Sequence, residues 1–305
     1  MAKDIEIKSK LGTGQLFNFT PDSYLERTSR PVYAIVFLLP FIIFYELGTI
    51  FINTDVLNQS QVRVVAFIWL QNFLEYVGFS SKMVWVTAPL AVIIILIGLQ
   101  LASRKKWRFW KADMLPMAIE CTFLAIPLIV LTLFMNSTDI RPNDIAEFES
   151  QTVQMQTETL PACSVAAPDT LAAGTEVSGN SKKESLLANI VTGIGAGIYE
   201  ELVFRLILIC LLMIVFQDFL KFNHRNSVVF SIIISAALFS AHHHWIFSGG
   251  VYQSLPFDWT AFSFRAIAGI YFAILFAVRG FGVTAGTHAF YDILATVINV
   301  LFFQS

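Results

Sequence analysis

The sequence has few charged residues, few cysteines and no basic stripe. Only 14% of its 305 residues are charged and 56% are hydrophobic, which excludes an ordinary soluble chain of this size. The formal net charge of -2, without a basic surface run, argues against a nucleic-acid partner. Cys121, Cys163 and Cys210 fall in two apolar runs and one polar loop, so they predict neither a disulfide framework nor a zinc knuckle.

We also expect no cleavable signal peptide, because residues 1–30 are polar and the first apolar run is long enough to remain in the bilayer. Apolar runs of about 20 residues predict seven spans in an all-α polytopic membrane helix bundle. They cover 31–52, 83–102, 114–135, 186–216, 228–245, 259–278 and 283–303. Residues 62–79 mix polar and apolar side chains, so they predict either an eighth span or, as the loop charges favour, an interfacial amphipathic helix.

Two basic clusters predict the topology. Basic residues at 3–30 precede the first span, and a second cluster at 104–111 follows the second span, so both should face the cytoplasm. We therefore expect an integral, multi-pass protein of a bacterial cell (inner) membrane, with a cytoplasmic tail at 1–30 and N-terminal transmembrane helices at 31–135. Residues 136–184 contain eight acids against three bases without periodicity, which predicts a flexible non-cytoplasmic loop before a catalytic core at 185–305.

Three charged residues interrupt the run at 186–216. Glu200, Glu201 and Arg205 would each cost several kcal/mol at bilayer depth if they were uncompensated, so a function is the default interpretation. Glu201 and Arg205 are four residues apart and can pair on one helix face. Glu200 is rotated from them by about 100°, so its partner must come from another helix. Small residues at 193–197 allow a neighbouring helix to approach closely.

Two later spans carry further polar groups. His242, His243 and His244 are consecutive, so at most one or two of them can face a bundle interior; an interfacial polar cap is the alternative interpretation. His288 and Asp292 are four residues apart and share a face, so the carboxylate can orient the imidazole.

Together these patterns resemble the CPBP family of intramembrane proteases, which includes the eukaryotic CAAX prenyl endopeptidases and bacterial bacteriocin-processing and self-immunity proteins. The matching motifs are Glu200-Glu201-x-x-x-Arg205, Phe239-x-x-x-His243 and His288-x-x-x-Asp292, and the resemblance covers about residues 185–303. The resemblance implies an intramembrane endopeptidase acting on a peptide or a membrane-anchored protein.

The resemblance also implies a role for each residue. Glu200 with His243 would activate a water, His288 and Asp292 would hold the oxyanion, and Glu201 with Arg205 would be a structural pair. The prenyl endopeptidases carry Asn where this chain has Asp292. An ionised aspartate cannot donate to an oxyanion, so it is protonated, or it orients His288, or the chemistry differs.

Three alternatives remain open from the sequence. Glu200, His243 and His288 would also suit a divalent metal such as zinc, although the absence of His-Glu-x-x-His and the family resemblance favour a mechanism without a metal cofactor. A non-catalytic scaffold or immunity protein of the same fold is the second alternative. A proton-coupled transporter is the third, and it is disfavoured because the polar cluster lies in one half of the chain.

The predicted topology places His243 and His288 at different depths, with a gap that could exceed about 10 Å at about 1.5 Å per residue. We therefore expect Gly280, Gly282 and Gly286 to mark irregular or re-entrant backbone, or the helix at 228–245 to be shallow and tilted.

Overall fold

A computed structural model describes residues 19–55, 65–79, 81–138, 178–248, 251–254 and 256–302. Its first half contains the helices α1 (Tyr24–Thr28), α2 (Pro31–Asp55), α3 (Val65–Tyr76), α4 (Ser81–Ser103) and α5 (Met114–Thr138), with a 3-10 turn at Lys111–Asp113. The second half contains α6 (Ser178–Glu201), α7 (Ile209–Ile214), α8 (His224–His242), α9 (Trp259–Arg279) and α10 (Phe281–Phe302). A short antiparallel hairpin, β1 (Trp245–Ser248) with β2 (Val251–Ser254), follows α8.

The predicted all-α membrane bundle is confirmed. Six helical segments of the described chain are long and apolar enough to cross a bilayer, and they correspond to the first six predicted spans. The seventh predicted span, 283–303, corresponds to α10, which has 22 residues but is made more polar by His288 and Asp292. In the ambiguous segment at 62–79, the described residues 65–79 contain the 12-residue α3. A helix of that length extends about 18 Å, which is too short to cross a core of about 30 Å and favours the interfacial alternative.

The predicted loop at 136–184 falls mainly outside the described residues. Helix α5 continues to Thr138 and α6 begins at Ser178, so both ends of the predicted loop are helical. Residues 139–177 and 1–18 lie outside the described part of the chain, and the predictions of a flexible loop and a tail apply mostly to them.

Glycines bring α6 against α10. A Cβ added at Gly197 would lie 2.5 Å from the backbone nitrogen of Ala289, and one added at Gly193 would lie 2.6 Å from Cβ of Asp292. These contacts confirm the predicted close approach of a neighbouring helix. They place the helix of the two glutamates beside the helix of His288 and Asp292.

The irregular backbone lies only partly where the sequence predicted it. Gly280 has φ 78°, a conformation that favours glycine, and it separates α9 from α10. Gly282 and Gly286 lie inside the continuous α10, so the prediction of irregular backbone there is wrong. Both glycines instead allow α10 to pack closely on α2 and α5, because added Cβ atoms would meet Ala34 and Phe37 of α2 and Met117 and Cys121 of α5.

Irregular backbone that the sequence did not predict begins directly after Glu201. The chain is π-helical over Leu202–Leu208 and again over Val215–Phe219, on either side of α7. Ser235 of α8 donates a hydrogen bond of 2.7 Å to the carbonyl of Phe204 in the first π-helical segment. Such π-bulges are frequent at functional sites, because they shift side chains out of the ordinary helical register.

The two basic clusters meet at one end of the bundle. Lys106 lies 2.9 Å from Asp22, and Lys105 lies 3.7 Å from Glu26, so the chain before α2 contacts the chain after α4. Hydrogen bonds from Lys106 and Arg30 lower the pKa of Asp22 to about 2. The described part of the first cluster, at Arg27 and Arg30, therefore lies on the same side of the bundle as the second cluster, as the predicted topology requires.

A second set of polar groups surrounds the buried guanidinium of Arg279 at this end, and we call it the Arg279 cluster: Tyr24, Thr28, Ser29, Glu120 and Arg279. The guanidinium of Arg279 donates to both oxygens of Glu120, at 2.6 and 2.8 Å. It also donates to Thr28 Oγ1, Ser29 Oγ and the carbonyl of Leu25. The cluster ties α1 and α5 to the last residue of α9, where the chain turns into α10.

Candidate active site

The polar residues of the second half come together from three helices. Glu200 and Glu201 end α6, His242 ends α8 with His243 as its C-cap, and His288 and Asp292 lie on α10. The close packing of α6 on α10 and the turn after α8 bring all three sets to one place in the bundle interior.

Glu201 lies between a guanidinium and an imidazole. Its Oε2 is 3.1 Å from Arg205 Nε, and both side chains are fully buried, so the pair predicted from the four-residue spacing is present. Its Oε1 is 2.8 Å from Nδ1 of His288, a contact that the sequence did not predict. Glu201 therefore joins α6 to α10 as well as neutralising Arg205.

Phe239 fills the centre of this arrangement. The guanidinium carbon of Arg205 lies 4.1 Å from its ring centroid, a cation–π contact. The His243 and His288 rings lie 5.1 and 6.1 Å from the same centroid. The phenylalanine of the Phe239-x-x-x-His243 motif thus separates the cation from the imidazoles and packs against both.

Glu200 faces two imidazoles of α8. Its carboxylate is 3.5 Å from Nε2 of His242 and 3.8 Å from Nε2 of His243. The partner of Glu200 comes from another helix, as the helical rotation required. A separation above about 12 Å would have excluded catalysis, which needs hydrogen-bond or one-water reach.

His242 is the residue of the site that the sequence analysis missed. It is 2% exposed and lies closer to Glu200 than the predicted His243 does. The signal was the triplet itself, because one or two of three consecutive histidines could face inward. The motif pointed to His243, and only the turn after α8 showed that its neighbour also faces Glu200.

The backbone determines the tautomer of His242. Its Nδ1 lies 2.5 Å from the carbonyl oxygen of Phe239. A carbonyl only accepts, so Nδ1 carries the proton and Nε2 of the neutral ring is an acceptor. Nε2 and the Glu200 carboxylate are then two acceptors facing each other at 3.5 Å. A proton, a water donating two hydrogen bonds or a cation stabilises such a pair.

His288 lies between two carboxylates. Glu201 Oε1 is 2.8 Å from Nδ1, and Asp292 Oδ2 is 3.6 Å from Nε2. Its ring stacks on Phe272 with centroids 4.5 Å apart, which fixes the ring plane. Acids on both sides favour the doubly protonated, positively charged ring.

The geometry corrects the predicted metal ligands. Among the described residues, three potential ligand atoms within 4.8 Å of one another come from Glu200, His242 and His243. The set predicted from the sequence was Glu200, His243 and His288. The geometric set differs from it in having His242 in place of His288, whose Nδ1 lies 2.8 Å from Glu201 Oε1.

His244 points away from the site. Its ring stacks on Phe257 with centroids 4.8 Å apart and lies 6.1 Å from the ring of Phe262. Burial, and next the charge of Arg265, lowers the pKa of His244, so its ring is neutral at pH 7. The histidine triplet therefore divides, with two members facing Glu200 and one packing among aromatic rings.

Comparison with known proteins places this site in a family. No curated protein and no solved structure gives a significant match to the chain. Residues 182–294 match the family model described as type II CAAX prenyl endopeptidase Rce1-like, and this range contains every candidate site residue. Residues 182–294 are therefore similar to the Rce1-like type II CAAX prenyl endopeptidases, a family of proteases, and this match confirms the resemblance to the CPBP family that the sequence predicted.

Proposed function

We propose that this protein is an intramembrane endopeptidase that uses Glu200 to activate water. The observation that carries the proposal is the buried Glu200 carboxylate opposite the acceptor nitrogen of His242, inside a domain of a protease family. A water between these two acceptors would donate one hydrogen to each, and its oxygen would keep both lone pairs for attack. Neither a serine nor a cysteine nucleophile is required.

The reaction then follows from the groups present. The water oxygen attacks the peptide carbonyl while Glu200 takes its proton, with His242 and His243 accepting hydrogen bonds or relaying the proton. The carbonyl oxygen becomes an oxyanion in a tetrahedral intermediate. When the intermediate collapses, the C–N bond breaks and the proton held by Glu200 passes to the leaving amine. Water is consumed, and a carboxylate and an amine are produced.

His288 is the proposed oxyanion donor. Its Nδ1–H donates to Oε1 of Glu201. Its Nε2 lies 3.6 Å from Oδ2 of Asp292, which is longer than an ordinary hydrogen bond. A protonated ring can therefore donate Nε2–H to the oxyanion. Of the three roles open to Asp292, this distance favours an acid that orients and charge-balances His288, so Asp292 need not donate itself.

The substrate class is a peptide or a membrane-anchored protein segment reached from the bilayer. The name of the matched family refers to prenylated CAAX sequences. A farnesylated, internally quenched CAAX peptide is therefore the first probe. The same peptide without the lipid and a single-span membrane reporter are the second and third probes.

The test measures cleavage of these three probes by full-length protein in proteoliposomes. Wild type should cleave at least one probe, and Glu200→Gln should lose the activity. Glu75→Gln is the matched control, because Glu75 is an exposed acid of α3. Equal cleavage by wild type and Glu200→Gln would refute the assigned base. A folded wild type that cleaves none of the probes would favour the scaffold interpretation.

A further inference from the structure

The site has the donor set of a transition-metal centre. One carboxylate oxygen of Glu200 and one ring nitrogen each of His242 and His243 lie within 4.8 Å of one another. Two imidazoles with one carboxylate and an open position are a familiar set for Zn²⁺. Mg²⁺ and Ca²⁺ prefer oxygen ligands, so the two nitrogens favour a borderline-soft ion.

The separations fit an ion of that size. Zn²⁺ bonds nitrogen and oxygen at about 2.0–2.1 Å, so tetrahedral neighbours lie about 3.3–3.4 Å apart. Oε1 of Glu200 lies 3.5 Å from His242 Nε2, and Oε2 lies 3.8 Å from His243 Nε2. One oxygen and both nitrogens lie within 4.8 Å of one another, so side-chain shifts of about an ångström would bring all three donors into contact with one ion.

Surrounding contacts already hold the ligands for metal binding. The Nδ1–H of His242 is directed at the carbonyl of Phe239, which leaves Nε2 as the free donor atom. Metal-ligating histidines usually make this contact with their second nitrogen. Oε2 of Glu200 is buried and has no hydrogen-bond partner among the described residues. A buried carboxylate oxygen of this kind requires a partner of its own.

We propose that Glu200, His242 and His243 bind a divalent transition-metal ion of the Zn²⁺ type, and that the bound ion inhibits hydrolysis. The inhibition rests on the proposed function, because a ligated Glu200 can no longer take a proton and the ion occupies the place of the nucleophilic water. Binding itself depends only on the three ligands. The two parts of the proposal therefore have separate readouts.

Binding is measured without reference to activity. Full-length protein with a tag that contains no histidine is stripped with chelator and titrated with Co²⁺ and Zn²⁺, by visible absorption and calorimetry. Wild type should bind one ion with the intense absorption of tetrahedral Co²⁺. His242→Ala and Glu200→Gln should each weaken binding at least about tenfold, the usual minimum cost of disturbing a ligand set.

His244→Ala is the matched control, because this third histidine faces Phe257 rather than Glu200. It should bind the ion as wild type does. Equal binding by wild type, His242→Ala and Glu200→Gln would overturn the site. Equal loss in His244→Ala and His242→Ala would also overturn it, since the effect would then not follow the ligands.

Activity tests the second part. Cleavage of the farnesylated peptide should rise after chelation and fall at stoichiometric Zn²⁺, and Mg²⁺ should have no effect. If chelation abolishes cleavage and Zn²⁺ restores it, the metal site stands. The same result would overturn both the proposed inhibition and the metal-free role of Glu200. If the protein binds Zn²⁺ but its rate of cleavage does not change, only the proposed inhibition is overturned.

Discussion

Two ionic clusters of this protein differ in how well their hydrogen bonds are satisfied. In the Arg279 cluster, the guanidinium donates to both oxygens of Glu120, to two hydroxyls and to a carbonyl. In the active site, Glu200 Oε2 and two nitrogens of Arg205 lack hydrogen-bond partners among the described residues. Glu201 Oε2 is also without a hydrogen bond, although it lies 3.1 Å from Arg205.

The difference distinguishes a structural role from a functional one. A fully satisfied buried network is rigid and has no capacity for another partner. Groups without hydrogen-bond partners leave donors and acceptors for a substrate, a water or an ion, and this lowers the stability of the fold. Four predictions test this difference between the two clusters.

The largest effect is expected for Glu200→Gln. We expect hydrolysis to fall about a thousandfold, within the range for loss of a general base, while the thermal midpoint stays the same or rises. The amide can donate to Nε2 of His242, so the two facing acceptors become a hydrogen-bonded pair. Cleavage of the probe peptides and thermal unfolding in detergent measure both quantities. A large loss of stability would contradict the comparison.

The second prediction concerns Arg279→Met, which leaves the half-buried Glu120 without its cation. We expect a loss of about 3 kcal/mol of stability, the lower end of the range for breaking a buried pair, because 21% of the Glu120 side chain is exposed. The specific activity of the fraction that remains folded should change little. Arg279→Lys keeps the charge but loses the planar fork, so it should lose less stability. Unfolding curves give the stability, and active-fraction kinetics give the rate.

The third prediction concerns Gly197→Ala, which adds a methyl group between α6 and α10. The new Cβ would lie 2.5 Å from the backbone nitrogen of Ala289, so the helices must separate. We expect about 1–3 kcal/mol of lost stability, together with reduced kcat as His288 moves relative to Glu201. Gly98→Ala is the control, because a Cβ there meets nothing within 4 Å. Equal effects of the two changes would refute the packing argument.

The smallest effect is expected for Lys106→Gln. The ion pair between Lys106 and Asp22 is solvent-exposed, with side chains 64% and 55% accessible. Exposed pairs of this kind often contribute nothing measurable. Neither the thermal midpoint nor the cleavage rate should change. A marked loss of stability would show that the exposed pairs at this end belong to the Arg279 cluster.

Much of the site follows from local spacing. The pairing of Glu201 with Arg205 follows from a four-residue step along one helix, and the outside partner of Glu200 follows from its rotation of about 100°. Both involve one element or its orientation, so the sequence alone is sufficient. The close approach at Gly193 and Gly197 could also be predicted, because small side chains are what close helix packing requires.

Other features depend on contacts between distant segments. No local pattern in the sequence pairs Arg279 with Glu120, which is 159 residues away, and only the fold shows the two in contact. The π-helical segments after Glu201 have no sequence signature, since they depend on how α8 packs against this helix. The same reason explains the incorrect expectation for Gly282 and Gly286, whose role depends on α2 and α5.

The membrane setting, the helical class and the different directions of the two glutamates follow from the amino-acid sequence alone, because hydropathy and helical periodicity are properties of single segments. The tertiary structure decided that His242 joins His243 at Glu200, and that His288 donates to Glu201. The physical reason is that these contacts depend on where the turn after α8 places its imidazoles and on how closely α6 packs on α10. No single segment contains that information.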